Sequence, residues 1–318
     1  MTRPTVPGLH HVSAIARDPA ANVAFYTETL GLRLVKRTVN FDEPFVYHLY
    51  YGDETGRPGT LLTFFSYPRE VDGRVGTPQP SAVALSIPEE SAEFWYDRLA
   101  GLGIDVDEPA ERFGETVVAF RDHDGLPGEL VGVDTDDTNA PYGETSSGGA
   151  VPEAHAIRDL RGVTLLSASP VHTAATLEVL GFELLAQDGE RVRYRVPGER
   201  AVAGDGRATV VDLLDADVSF GREGVGTIHH VAVRAGDTNL AAWRDRLLEA
   251  GVEPTRITDR RYFESIYVRE PGGILFEVST DGPGVAVDEL VAKLGTTLAL
   301  PPWLADDREM IEGQLPSL

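Results

Sequence analysis

Two spacings of apolar residues alternate along the chain, and their order repeats four times. A period of two marks a half-buried strand, and a period near 3.6 marks the buried stripe of a helix. In the first unit the strand-like HHVSAIA leads into the helical stretch NVAFYTETLGLRLV, then into FVYHLYYGD and GTLLTFFSY. The second unit runs SAVALSI, SAEFWYDRLAGLGIDV, ETVVAFRD and GELVGV, and the third VTLLSAS, HTAATLEVLGFELL, RVRYRV and ATVVDLL. The fourth runs IHHVAVRA, LAAWRDRLLEAGVEP, ESIYVRE and GILFEVS. Phe94, Leu99 and Leu102, and likewise Leu240, Trp243 and Leu247, stand at spacings that give each helix one face to pack on a sheet. Gly31, Gly103, Gly181 and Gly251 follow the helical stretches, where a left-handed backbone ends a helix at least cost. The run Thr116-Val117-Val118-Ala119-Phe120 alternates as antiparallel strand does. Each unit therefore reads as βαβββ, and the fold class expected is α+β.

Between the second and third units lies a stretch rich in Asp, Thr, Gly and Ser, from about Asp134 to Gly149, which is the natural linker. It divides the chain into residues 1–150, with modules at about 8–70 and 79–134, and residues 151–318, with modules at about 160–216 and 226–281. A tail, 282–318, has no counterpart in the repeat. Its apolar run Leu298-Ala299-Leu300-Pro301-Pro302-Trp303 must pack somewhere, and covering the open end of the fold would exclude water there.

Composition narrows the function. The 28 Lys and Arg against 51 Asp and Glu give a net charge of −23, which disfavours nucleic acid and anionic membrane surfaces as partners. Only Lys36 and Lys293 are lysines, so the positive charge is almost all arginine. A shell this acidic suggests a high-salt interior, where screening relieves self-repulsion. The 42% hydrophobic content excludes a disordered chain. The absence of cysteine excludes disulfides, thiolate catalysis and Cys-ligated metals, so any metal must be held by histidine and carboxylate. No stretch reaches the ~18 uninterrupted apolar residues of a spanning helix, and the N-terminus has no apolar signal core, so a cytoplasmic protein is expected.

Four of the eight histidines fall in two identical dipeptides at equivalent places, His10-His11 opening the first unit and His229-His230 opening the fourth. Strand alternation lets only one imidazole of each pair face a given side. Glu277 lies between Phe276 and Val278 in the last strand of the fourth unit, where a carboxylate is costly unless paired or bound to metal. Two histidines and one glutamate match the 2-His-1-carboxylate triad, which leaves open positions for an anionic oxygen ligand together with dioxygen. Iron(II) is the first candidate metal and manganese(II) the second. Glu129 and Asp212 hold the position of Glu277 in the second and third units, but those units open without histidine and should be metal-free scaffolding. In the first unit Phe64 aligns with Glu277, so one joint site is expected.

These stretches, with VYHLYYGDETGRPGTLLTFF, DRRYFESIYVREPGGILFEV and the tail LGTTLALPPWLADDREMIEGQLP, resemble the vicinal oxygen chelate superfamily, and within it the ring-cleaving branch typified by hydroquinone dioxygenases. The resemblance implies that the βαβββ modules pair into two cupped mixed sheets around a metal. It implies that His11, His230 and Glu277 ligate iron(II), and that His10, His229, Arg260 and Tyr267 surround it and serve proton transfer or substrate binding. The activity implied is oxygen-dependent cleavage of a dihydroxylated aromatic ring, with a small aromatic substrate and O2 as partners. Whether the hydroxyls are ortho or para stays open, and so does the number of chains, a homo-oligomer included. A glyoxalase I-like lyase and a metal-free binding or resistance protein are the alternatives. His48 is expected to pack across strands rather than ligate, and His123, His155 and His172 to be solvated. Phe41, Tyr50, Phe64, Phe65 and Phe263 are candidates for an aromatic lining.

If the acidic shell is a salt adaptation, thermal unfolding followed from dilute buffer to molar KCl should show stability rising steeply with salt. Full stability in dilute buffer would count against salt adaptation and leave the metal triad untouched.

Overall fold

The computed structural model describes residues 6–134, 150–197, 208–236 and 238–318, so the expected linker lies outside the described residues from position 135 to 149. The first module comprises β1 (Leu9–Ala16), α1 (Pro19–Ala24) continued by a π-helical turn (Phe25–Thr29), β2 (Arg33–Asn40), β3 (Glu43–Gly52) and β4 (Leu61–Ser66). The second comprises β5 (Gln79–Pro88), α2 (Ala92–Gly101), β6 (Ala110–Arg112), β7 (Glu115–Arg121) and β8 (Pro127–Val133). The third comprises β9 (Asp159–Leu166), α3 (Pro170–Leu180), β10 (Glu183–Asp188), β11 (Arg191–Arg195) and β12 (Val210–Leu214). The fourth comprises β13 (Thr227–Arg234), α4 (Leu240–Glu249), β14 (Thr258–Asp259), β15 (Glu264–Arg269) and β16 (Leu275–Ser279).

Modules one and four share an eight-stranded mixed sheet, β14-β15-β16-β13-β1-β4-β3-β2. Modules two and three share the other, β10-β11-β12-β9-β5-β8-β7-β6. Each sheet is joined at its centre by the two opening strands, β1 with β13 and β5 with β9, running antiparallel. The closing strand of every module lies parallel to its opening strand, which the intervening helix and hairpin make possible. One apolar core, with Val12, Phe64, Val83, Trp95, Leu130 and Trp243, spans both sheets and the helices packed on them.

Trp95 and Leu99 form the buried face of α2, but Leu102 is 55% exposed, against expectation. The helix stops at Gly101, so Leu102 follows the last turn rather than continuing its apolar stripe. The glycine at each helix end does adopt a positive φ, from 72° at Gly31 to 101° at Gly181.

Strand register corrects one alignment. Thr63 of β4 stands beside Ser13, and Glu277 of β16 beside Ala232, while across the central pair Ser13 faces His230 and His11 faces Ala232. The counterpart of Glu277 in the first module is therefore Thr63 and not Phe64. The run after the Pro-Gly turn is one residue longer in the fourth module, and that offset misleads a gapless alignment. Phe64 points to the opposite face, into the core, with its ring 4.5 Å from Tyr26.

The second sheet shows what the same position does without histidines. Glu129 beside Ala84 is held by Arg112 at 2.7 Å, and Asp212 beside Thr164 by Arg193 at 2.8 Å and Arg191 at 3.3 Å. Arg193 also reaches Glu115, and Arg161 reaches it at 2.5 Å. Both oxygens of Asp212 are held by arginine, and so is Oε1 of Glu129. Removing one partner of a pair this buried strands the other, so Asp212→Ala should lower unfolding free energy by about 3 kcal/mol in denaturant titrations while leaving metal stoichiometry unchanged.

Candidate metal centre and its cavity

The metal-binding set expected from the sequence is assembled in the first sheet. His11, His230 and Glu277 are all buried, and one potential ligand atom from each lies within 4.8 Å of the others. Among the described residues this is the only such group of His, Cys, Asp or Glu. His230 Nε2 is 2.8 Å from Glu277 Oε2, His11 Nε2 is 3.5 Å from the same oxygen, and the two Nε2 atoms are 3.1 Å apart.

The carboxylate is aimed by its neighbours. Ser265 and Ser279, opposite each other in the β15–β16 ladder, both donate to Oε1, Ser279 at 2.7 Å. Oε2 is buried without a well-directed hydrogen bond, despite its closeness to His230. One oxygen is thus fixed by hydroxyls and the other is left facing two ring nitrogens. Burial alone would favour the protonated acid, but the His11 and His230 imidazoles outweigh it and hold Glu277 well below the usual carboxylate range. Burial in turn pushes His230 down to about 4, against the pull of Glu277.

Strand alternation should have turned His10 and His229 away from the ligands, and the structure departs from that expectation. The β1–β13 register steps from Leu9–Val233 to His11–Ala232 and from Ser13–His230 to Ala14–Ile228, so His10 and His229 are each the extra residue of a β-bulge. A bulge breaks the alternation and places two neighbouring side chains on one side. His10 Nδ1 accordingly lies 2.9 Å from His11 Nδ1, and His229 Nδ1 lies 2.7 Å from His230 Nδ1.

The first pair fixes a tautomer. His10 Nε2 is 3.2 Å from the Thr280 carbonyl, to which a ring nitrogen can only donate. Burial first, and His11 second, push His10 down to about 3, so its ring is neutral and its Nδ1 can only accept. His11 must then donate from Nδ1, so that, when it serves as a metal ligand, the nitrogen it offers is Nε2, which faces His230 and Glu277. Two ring nitrogens and a carboxylate oxygen converging at these distances fit the donor set that a divalent cation requires.

A cavity of about 260 Å3 opens on the triad. Of the residues expected around the metal, His229, Arg260 and Tyr267 line it, whereas His10 does not and stands behind His11. Arg260 donates to Tyr267 Oη at 3.2 Å and to Asp42 at 2.8 Å. Burial and then Glu277 push the Tyr267 phenol well up, so it remains a donor. Of the expected aromatic lining, Phe41, Tyr50, Phe65 and Phe263 are present, and Phe64 is absent because it faces the core.

Sequence reasoning missed several residues. His48 lines the cavity, bonded to Thr63 Oγ1 at 3.0 Å and Tyr50 Oη at 3.1 Å, as well as packing on Phe65. Its place two residues before Tyr50 on one strand was the available signal. Ser265 and Ser279 carried a similar one, flanking Glu277 in the last hairpin. His155, expected to be solvated, stacks on Phe94 at 4.1 Å and bonds Ser91, and His123 pairs with Asp124 at 3.3 Å. His172 is exposed as expected. The tail pairs along the β2 edge, Ala299 N–H to Arg37 O and Thr38 Oγ1 to Ala299 O, and sets Trp303 edge-on to Phe41. It backs the cavity wall from outside, and none of its residues lines the cavity.

Two curled mixed sheets of βαβββ modules, one with a His, His, Glu set at its centre, define the class of protein. The chain belongs to the Glyoxalase/Bleomycin resistance protein/Dioxygenase superfamily, whose sequence profile matches residues 8–130 and 177–278. It is 41% identical over 98% of its length to "Putative ring-cleaving dioxygenase MhqE" of Bacillus subtilis, covering 99% of that protein. It is 34% identical to the "Chlorohydroquinone/hydroquinone 1,2-dioxygenase" of Sphingobium indicum, covering 94% of this chain and 92% of that one. A Bacillus subtilis crystal structure described as a putative dioxygenase superposes with a TM-score of 0.90 at 39% identity, covering 99% of this chain and 98% of that one. Glyoxalase I from Zea mays shares the fold, with a TM-score of 0.61 at 16% identity, covering 86% of this chain and 92% of that one.

The buried imidazoles set a pH dependence of the chelated protein. With folded values of about 4 for His230 and 3 for His10, the unfolded chain binds more protons below pH 6.5, so stability is retained above that value and lost as pH falls through the folded values. Chemical denaturation across this range should show the loss, and His10→Leu should remove its share. The same substitution should weaken metal affinity about 10- to 100-fold, as loss of a ligand-orienting partner does.

Proposed function

We propose that the protein is an iron(II)-dependent ring-cleaving dioxygenase acting on a dihydroxylated aromatic, of hydroquinone or catechol type, with O2 as co-substrate. The observation that carries this reading is the buried Glu277 Oε2, without a directed hydrogen bond, facing His11 Nε2 and His230 Nε2 at the base of a cavity sized for one ring. His11, His230 and Glu277 would hold the metal, and a bound iron(II) supplies Lewis acidity and an electron path between ring and oxygen. The names of the relatives at 34% and 41% identity support the same chemistry.

The surrounding side chains divide the remaining work. Phe65 and Phe263 give the ring apolar walls and exclude water. Tyr267 Oη–H and the Arg260 guanidinium, fixed by Asp42, present donors to oxygens that gain negative charge as the ring is attacked. His229 lines the cavity, and burial lowers its pKa, so its ring is neutral; its Nδ1 accepts from the Nδ1–H that a ligating His230 carries, which leaves His229 Nε2–H as a donor to a substrate oxygen. His10 acts behind His11, accepting from its Nδ1–H and so turning its Nε2 toward the metal position.

A glyoxalase I-like lyase shares the fold, but a fourth ligand from the first module would fall at Thr63, whose hydroxyl is engaged by Ser13 and His48. A metal-free binding protein has no use for an ionised carboxylate buried between two imidazoles.

The test is an oxygen-uptake screen over catechols and hydroquinones after anaerobic iron(II) loading. Uptake with at least one diol, lost in Glu277→Ala together with the metal while far-ultraviolet circular dichroism is unchanged, is the expected result. No uptake with any diol, and turnover of a thiol–methylglyoxal adduct instead, would replace the dioxygenase by the lyase.

A further inference from the structure

The module repeat places a hydrogen-bond chain where a fourth metal ligand would otherwise stand. Thr63, the counterpart of Glu277, bonds Ser13 Oγ at 2.7 Å and His48 Nε2 at 3.0 Å, and His48 Nδ1 bonds Tyr50 Oη at 3.1 Å. The chain Ser13–Thr63–His48–Tyr50 ends on a phenol at the cavity wall. Across the sheet Tyr50 is paired with Thr63, Thr63 with Ser13 and Ser13 with His230, so Tyr50 and His230 share a row. They stand three strand spacings apart, about 14 Å along the sheet before its curl and the side chains reduce the gap. A single aromatic ring with one oxygen at the triad would direct its far edge at Tyr50.

Tyr50 has capacity to spare. Both nitrogens of His48 are engaged, whereas a phenol oxygen can donate once and accept twice, and among the described residues Tyr50 Oη has one such bond, to His48. With the His48 proton on Nε2, donated to Thr63, Tyr50 donates to Nδ1 and its oxygen accepts from the cavity side. Burial holds Tyr50 well above its ordinary value and His48 well below, so both are neutral. Phe65 and Phe263, which line the same cavity, offer the ring no hydrogen-bonding group.

We propose that Tyr50 is a second recognition point for substrate, accepting the ring hydroxyl that lies farthest from His11, His230 and Glu277, and that His48 is the positioning residue that holds it. The proposal rests on the dioxygenase reading and deepens it. An ortho diol carries its hydroxyls side by side and has no use for Tyr50, whereas a para diol needs a partner at each end of the ring.

Anaerobic calorimetry on iron(II)-loaded protein tests this without turnover, with hydroquinone, phenol and catechol as ligands. Wild-type protein should bind hydroquinone about 10-fold or more tightly than phenol, the range expected of one buried hydrogen bond. Tyr50→Phe should collapse that ratio while leaving phenol and catechol affinities within about 2-fold, since it removes a hydroxyl and keeps the ring. His48→Leu should reduce the ratio in the same direction. An unchanged hydroquinone-to-phenol ratio in both variants, or a loss shared equally by all three ligands, overturns the proposal alone. Wild-type protein that binds none of the three overturns it together with the dioxygenase reading.

Discussion

Glu277 is an ionised carboxylate inside a sheet, between Phe276 and Val278, with one oxygen satisfied by two serine hydroxyls and the other aimed at two imidazoles. A charge left this way costs several kcal/mol unless a counter-charge meets it, and among the described residues no Lys or Arg pairs with it. The rest of the first sheet is arranged around that requirement. The central antiparallel pairing of β1 and β13 brings together histidines 219 residues apart in the chain. Two β-bulges put a second imidazole beside each, and the hairpin β15–β16 supplies the serines.

The second sheet solves the same problem differently and so serves as an internal control. Glu129 and Asp212 sit where Thr63 and Glu277 sit, yet arginines from β6 and β11 neutralise them. Identical topology yields an ion-pair lattice in one sheet and a triad open to metal in the other. The difference lies in a few side chains and not in the backbone. The acidity of the chain as a whole is a separate matter, since of 51 acidic residues one is committed to the triad.

Much of this was legible in the sequence because it is periodic. The βαβββ order, the helix-ending glycines and the doubled histidines all recur at equivalent places, and recurrence exposes a fold that single segments do not. What failed was local. Strand alternation is a rule for regular ladders, so it could not anticipate that His10 and His229 are bulged residues. A gapless alignment matched Phe64 to Glu277, because one added residue in a turn shifts every side chain to the other face. His48 looked like packing, since nothing in a single strand reveals that a hydroxyl across the ladder and a tyrosine two residues on will hold its ring in a cavity.

The central claim is that the first sheet, and not the second, holds a metal on His11, His230 and Glu277. Anomalous scattering at the iron edge from crystals grown anaerobically with iron(II) tests it directly. The account predicts a single strong peak within bonding distance of His11 Nε2, His230 Nε2 and Glu277 Oε2. A peak elsewhere, or none at that position with iron in excess, would contradict it.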